Sequence, residues 1–524
     1  MSNRIYNIIF HTHTLSGIII SALLYVIFFT GSISFLRDEI NAWERNEPIQ
    51  KDYFSTIDFD TAIQNLDSKE KLYSKDLSFS HRYYEKRIGA FVSKAKDTTL
   101  KEENTKGRRR GFFYLDTEKN VKSDYTSNYS LGEFFYRLHF FAQLNFFGRS
   151  GYFLSGMVAL FFLFAVVTGV IIHWKKIIPS FYVFRPKAKW KTIWTDAHVA
   201  LGLIGLPYQF MFAVTGAFLI IGYTVMLPPV QKVLYNDDAN ALTQAMEERV
   251  QEDFPFIGER VAYQVSYNEL ISKTKEKWPD LVVNELKVFN YGDRNMHVQV
   301  SGSPEYKDNI SGTGYLTYRL SDMKVVATED PYKTSYIEGA NDILRRLHYG
   351  DYGGYGMKLI YLALGFITCF VIISGVLIWL VAREKKNVPI YKRRFNSWLV
   401  RIYMAVCFGL FPVTAATFIA VKLFATEALV DRRAFINQTF FWTWLVVSIL
   451  LVLKKDHYSI NKLCLISGGI LSFLVPVAHG FMTGNWVWNS ISNGYSQLVV
   501  VDLFWIALGL VSLFVLMKLK KKIV

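Results

Sequence analysis

The 524-residue chain contains only three cysteines, Cys369, Cys407 and Cys464. All three fall in apolar stretches without metal-ligand spacing, which argues against a disulfide framework, structural zinc or an iron–sulfur cluster. No GxGxxG follows a strand-like segment and no P-loop is present. The loops on the Lys/Arg-rich side are too short to fold a flavin or nicotinamide domain. Acidic residues are scarce within the apolar stretches, which weighs against a carboxylate relay for transport.

Apolar residues are abundant. Hydrophobic residues make up 51% of the chain and aromatics 16%, with several runs long enough to cross a bilayer. The expected fold class is a polytopic α-helical membrane protein of about eight transmembrane helices with internal duplication, plus two small α+β extracytoplasmic modules. The expected organisation is a first span within 1–36, a module at 37–150, spans at 151–174 and 198–226, a second module at 227–355, a fourth span at 356–382, and a C-terminal four-helix membrane unit at 399–524. In that last unit the spans are expected at 399–424, 438–454, 461–482 and 498–518.

The formal charge is +15. Its excess sits in 175–197, 383–398, 454–462 and the tail KLKKKIV, which fall with Arg4 on one side of the eight-span arrangement. By the positive-inside rule that side is cytoplasmic, with both termini, and the charge needs no nucleic-acid partner. The first span is read as a retained anchor, because its apolar stretch is too long for a signal peptide and no small-x-small site follows.

In the second module VSYNELISKTKEKWP has helical spacing, and two hairpins follow, NELKVFNYGDRNMHVQVSG and GYLTYRLSDMKVVATE. In the first, FDTAIQNL supplies a helix and GFFYLDTEKNVKSD matches the last hairpin. Its KGRRRG stretch, Lys106 to Gly111, is a candidate anion-binding loop, with a solvated tip as the simpler account.

The chain repeats itself. His13 and His198 each precede the glycine of a Thr-Gly pair, Gly31 and Gly216, by eighteen residues. That is about five helical turns, so histidine and glycine share one helix face. FYRLHFF around His139 parallels RRLHYGD around His348, and TGVIIHW with Gly169 and His173 parallels SGVLIWL with Gly375. An intramembrane histidine is a functional candidate by default. Two layers of histidine on different helices suit the axial positions of two stacked b-type haems, with neutral imidazole on either face. Glycines at matching depths let helices approach a flat macrocycle; ordinary small-residue helix packing is the competing account.

Five histidines compete for four axial positions. Symmetry favours His13 with His198 and His139 with His348, leaving His173 to hold a propionate or to replace one ligand. His11 faces another side of its helix. His81, His297 and His457 read as surface histidines, and His479 as a residue for proton handling or helix packing. Trp43, Tyr349 and Tyr352 read as interfacial belt aromatics or as an electron exit.

These RLH motifs, TG-VII-HW and SG-VLIW span endings and helix-plus-hairpin insertions resemble the PepSY-associated transmembrane family over roughly residues 5 to 385. The resemblance implies haem b, two per chain, in an inner-membrane protein whose modules lie in the periplasm. It also implies ferric-siderophore or other ferric-chelate reduction during iron uptake, with electrons from a membrane quinol or a separate protein. A proton-coupled transporter and an anchored binding or regulatory protein remain as alternatives; neither needs haem.

Overall fold

The computed structural model describes residues 2–50, 52–81, 85–99, 111–183, 185, 187–238, 241–242, 254–305, 310–426, 429–454 and 456–519. The chain forms two units. Met1–Asn46, Ser130–Lys232 and Leu347–Val524 make the helical unit, and Glu47–Tyr129 with Val233–Arg346 make the sheet unit. The protein is a multi-pass membrane protein. Among the described residues seven helices are long and apolar enough to cross a bilayer, and a bent pair makes an eighth.

The helical unit runs in chain order through α1 (Asn3–Ser34), α2 (Arg37–Arg45), α4 (Leu131–His139), α5 (Ser150–His173), α6 (Ile177–Tyr182), α7 (Trp190–Ile204), α8 (Leu206–Ala217) and α9 (Leu227–Leu234). It continues with α11 (Tyr336–Tyr349), which crosses from the sheet unit, then α12 (Gly354–Arg383), α13 (Ile390–Phe424), α14 (Arg432–Val452), α15 (His457–Thr483), α16 (Val487–Ser492) and α17 (Ser496–Lys518). Large apolar side chains such as Phe153, Phe161 and Phe164 on α5 face outward from the unit, where hydrocarbon replaces water as solvent.

The stretch expected as one span at 198–226 is instead bent by 69° between α7 and α8. Pro207 enters at the start of α8 and has no N–H for the Leu203 carbonyl, so the ladder breaks at Gly205. From Phe218 to Met226 the helix continues in a wider π coil.

The sheet unit contains α3 (Phe59–Glu70), α10 (Tyr267–Lys277) and eight strands: β1 (Leu77–Ser80), β2 (Arg87–Val92), β3 (Phe112–Asp116), β4 (Val121–Ser123), β5 (Leu281–Phe289), β6 (His297–Pro304), β7 (Gly314–Arg319) and β8 (Lys324–Glu329). Each expected module contributes one of these helices and four strands. The two do not stand apart, because β1 pairs antiparallel with β5, Phe79 opposite Leu286, and one sheet runs β4-β3-β2-β1-β5-β6-β7-β8. This pairing satisfies the backbone groups of two edges that separate modules would expose. Alternation along β1 and β5 turns Leu77, Phe79, Leu286 and Val288 inward against α3 and α10, into a core with Phe59, Ile63, Leu270 and Trp278.

The N-termini of α3 and α10 cap each other. Asn268 accepts from the Phe59 N–H at 3.0 Å, and Asp60 accepts from the Tyr267 N–H and the Ser266 hydroxyl. Lys106 to Arg110 lie outside the described residues.

His297, expected at the surface, is buried on β6. It stacks on Phe254 with ring centres 3.8 Å apart and donates from Nδ1 to the Asn295 carbonyl at 2.9 Å. Burial pulls its pKa below the ordinary 6.5. The folded state therefore favours neutral imidazole, so this contribution to stability is present above pH 6.5 and is lost as pH falls through the folded value. Unfolding midpoints of the sheet unit should drop between pH 7 and 5, and His297→Gln should flatten that part of the dependence. An unchanged profile in the variant would remove His297 as its source.

Candidate functional site: four imidazoles on four glycines

Each of the four repeat histidines packs against one of the four repeat glycines. His13 lies on Gly169, His198 on Gly375, His139 on Gly31 and His348 on Gly216. A helical side chain covers the turn N-terminal to its own Cα, so a missing side chain bares the carbonyl four residues earlier. Three imidazoles use that opening. His13 Nδ1 meets the Ala165 carbonyl at 3.0 Å, His198 Nδ1 the Val371 carbonyl at 2.9 Å, and His139 Nδ1 the Ile27 carbonyl at 2.8 Å.

The residue before each glycine is Thr30, Thr168, Thr215 or Ser374. His348 Nδ1 contacts the Thr215 hydroxyl at 2.8 Å, His13 that of Thr168 at 3.2 Å and His198 that of Ser374 at 3.1 Å. These hydroxyls donate to carbonyls of their own helices, which leaves them acceptors toward the imidazole. Carbonyl and hydroxyl together assign the Nδ1–H tautomer, so each Nε2 carries a lone pair. Among the described residues no partner meets any of these four Nε2 atoms.

Anchoring stays within each copy of the repeat, while the rings meet between copies. His13 and His198 have ring centres 6.5 Å apart, and His139 and His348 5.9 Å. Two imidazoles on opposite sides of one metal, each nitrogen about 2 Å from it, would set their ring centres about 6 Å apart. Among the described residues no group of three or more His, Cys, Asp or Glu side chains is placed to hold a metal ion. Two imidazoles alone leave a bare ion under-coordinated, whereas a planar tetradentate macrocycle needs only the two axial donors.

The chain is matched over residues 10–382 by the family described as the PepSY-associated TM region. It belongs to that family. An uncharacterized protein of Pseudomonas aeruginosa is 22% identical over 349 residues, covering 64% of this chain and 84% of that protein. The PepSY-associated TM region contains all four histidine–glycine pairs and ends before α13, so the C-terminal four-helix unit lies beyond it.

The histidines expected to pair are the ones brought together. His173, half-buried at the end of α5, is close enough to act electrostatically on both His13 and His198, and His11 faces outward beside Phe10. The glycines expected beside a macrocycle each have an imidazole packed against them. Sequence reasoning missed the hydroxyls of Thr168, Thr215 and Ser374, although Ser/Thr-Gly recurs at all four sites. Trp43 is fully buried rather than interfacial, while Tyr349 stays exposed beside His348 and Tyr352 hydrogen-bonds Tyr361 at 2.8 Å.

Proposed function

We propose that this PepSY-family protein is an electron-transfer protein of the bacterial inner membrane that carries two b-type haems and reduces ferric chelates, ferric siderophores among them, on the periplasmic side. The observation that carries the reading is the set of four imidazoles in two facing pairs, each with Nδ1–H committed to a carbonyl or hydroxyl and Nε2 left to ligate. Neutral, oriented imidazole is what a haem iron takes, and a hydrogen bond at Nδ1 fixes the ring and raises its basicity. Haem b, when bound, supplies the equatorial nitrogens and a one-electron couple.

His13 and His198 would hold one haem and His139 and His348 the other. Gly31, Gly169, Gly216 and Gly375 keep the rings seated, and the histidine pairs at two depths divide a bilayer core of about 30 Å into shorter electron hops. Hard oxygen chelators favour ferric over ferrous iron, so adding one electron loosens the complex. The distribution of Lys and Arg supports cytoplasmic termini and periplasmic sheet segments. The donor would be a membrane quinol or a separate protein.

Absorption spectra and haem content of purified protein test the assignment. His139→Ala and His348→Ala should each lose one haem of two, and unchanged content in both would overturn the pairing. Thr215→Val removes the Nδ1 acceptor found for His348 and should weaken haem retention at that pair about 10–100-fold. Ser374→Ala should cost less, since the Val371 carbonyl still holds His198. Equal retention in the two variants would contradict the anchoring account.

A further inference from the structure

The C-terminal helices hold a buried polar group that transfer between the histidine pairs does not use. His479 on α15 is fully buried and donates from Nδ1 to Asp502 Oδ2 on α17 at 2.8 Å; Asp502 Oδ1 accepts from Trp43 Nε1 on α2, also at 2.8 Å. The other imidazole nitrogen, Nε2, is buried without a partner among the described residues, as are Trp505 Nε1 on α17 and Thr414 Oγ1 on α13. Helix α15 packs against both α13 and α17. Buried polar atoms left unpaired give up hydration for nothing, so His479 Nε2 and Trp505 Nε1, which flank the Asp502 turn of α17, are donors and acceptors that a ligand's oxygen atoms would satisfy.

Their surroundings are aromatic. The Trp43 ring lies 5.2 Å from His479 and 5.6 Å from Phe418, and Phe418 lies 4.9 Å from Trp505. Phe418 also meets Phe135 at 5.8 Å, one helical turn before His139 on α4. Two further charged side chains border this group, and Lys422, 4.9 Å from the Trp43 ring, acts electrostatically on both His479 and Asp502. Lys422 on α13 donates to the Trp43 carbonyl at 2.6 Å, and Arg432 on α14 pairs with Glu44 on α2. Pro476, three residues before His479, has no N–H for the Ser472 carbonyl, so the α15 backbone ladder is interrupted one turn before the imidazole.

An imidazole held by a carboxylate on one nitrogen and bare on the other is arranged to accept a proton. We propose that His479, Asp502 and Trp505 form the site at which a membrane quinol is oxidised. This rests on the two-haem reading and assigns its electron entry. Quinol oxidation breaks two O–H bonds and yields quinone, two protons and two electrons. The protons pass one at a time to Nε2 of His479 and onward to solvent. The electrons would leave singly, the acceptors being the two ferric haems of the two-haem reading. Asp502 holds the receiving imidazole in its Nδ1–H tautomer, and Trp505 Nε1–H donates to a quinone oxygen.

The test uses full-length protein in detergent with decylubiquinol as reductant, dithionite as a control, and decylubiquinone binding measured separately. Wild type should bind decylubiquinone saturably and be reduced by decylubiquinol. His479→Gln should keep its haem content and dithionite-reduced spectrum while the decylubiquinol rate falls about 100-fold or more. Trp505→Phe should weaken decylubiquinone binding, and serves as a second variant should His479→Gln fail to fold. Decylubiquinol reduction of His479→Gln at the wild-type rate would overturn the proposal, as would absence of saturable binding to wild type, which would leave only water in the site. Haem-free wild type that still binds decylubiquinone through His479 would sink the two-haem reading while sparing the binding site.

Discussion

Gly31→Ala is expected to remove one of the two haems proposed for the histidine pairs. A Cβ on Gly31 would stand 2.6 Å from His139 Nδ1 and 2.7 Å from its Cε1, closer than real Cβ atoms come. The imidazole must then leave the Ile27 carbonyl that holds it, and a ring displaced by even a fraction of an ångström no longer meets its partner across a metal. The other sites give an internal scale. At Gly169 and Gly375 the nearest imidazole carbon is 3.3 Å away, and at Gly216 3.6 Å. Alanine should therefore cost most at Gly31, less at Gly169 and Gly375, and least at Gly216. Gly17, with nothing within 4 Å, is the control. Haem per chain, measured on each purified variant, checks the order; two haems retained in Gly31→Ala would refute the seating role.

Arg432→Leu should be the most damaging single change to the C-terminal unit. Arg432 and Glu44 are almost wholly buried, and the second Glu44 oxygen accepts from the Leu131 N–H at 2.6 Å, at the start of the helix that ends in His139. Removing the guanidinium leaves a carboxylate buried with one backbone donor, and breaking such a pair costs about 3–5 kcal/mol. Unfolding in a graded SDS series should show that loss. Replacing Glu44 and Arg432 together by apolar residues should cost less than Arg432→Leu alone, because no charge is then stranded. A single variant within about 1 kcal/mol of wild type would mean the pair contributes only as an exposed one does.

The membrane helices were legible because apolar runs of bilayer length are a one-dimensional signal, and the hairpins because period-2 alternation about Tyr-Gly-Asp and Ser-Asp turns is local. The joining of both segments into one sheet was not, since β1 meets β5 across about two hundred residues and nothing in either strand announces its partner. The doubled histidines were visible as a repeat, and symmetry chose the ring pairs. The packing of an imidazole on each glycine is not legible, because spacing places a glycine on a face without saying what fills the gap. The Ser/Thr before each glycine was in plain view, but a hydroxyl that bonds its own helix gives no sign from sequence that it also accepts from an imidazole. His297 and Trp43 were misplaced because sequence shows residue type and neighbours, whereas burial depends on packing partners distant in the chain.

The proposed function stands or falls on haem at the two histidine pairs. Full-length protein, purified from cells supplied with haem, should show oxidised and dithionite-reduced spectra of b-type haem at two per chain. The four-histidine variant His13→Ala/His139→Ala/His198→Ala/His348→Ala should show none. A well-folded wild-type protein without haem, or a four-histidine variant that retains it, would contradict the account.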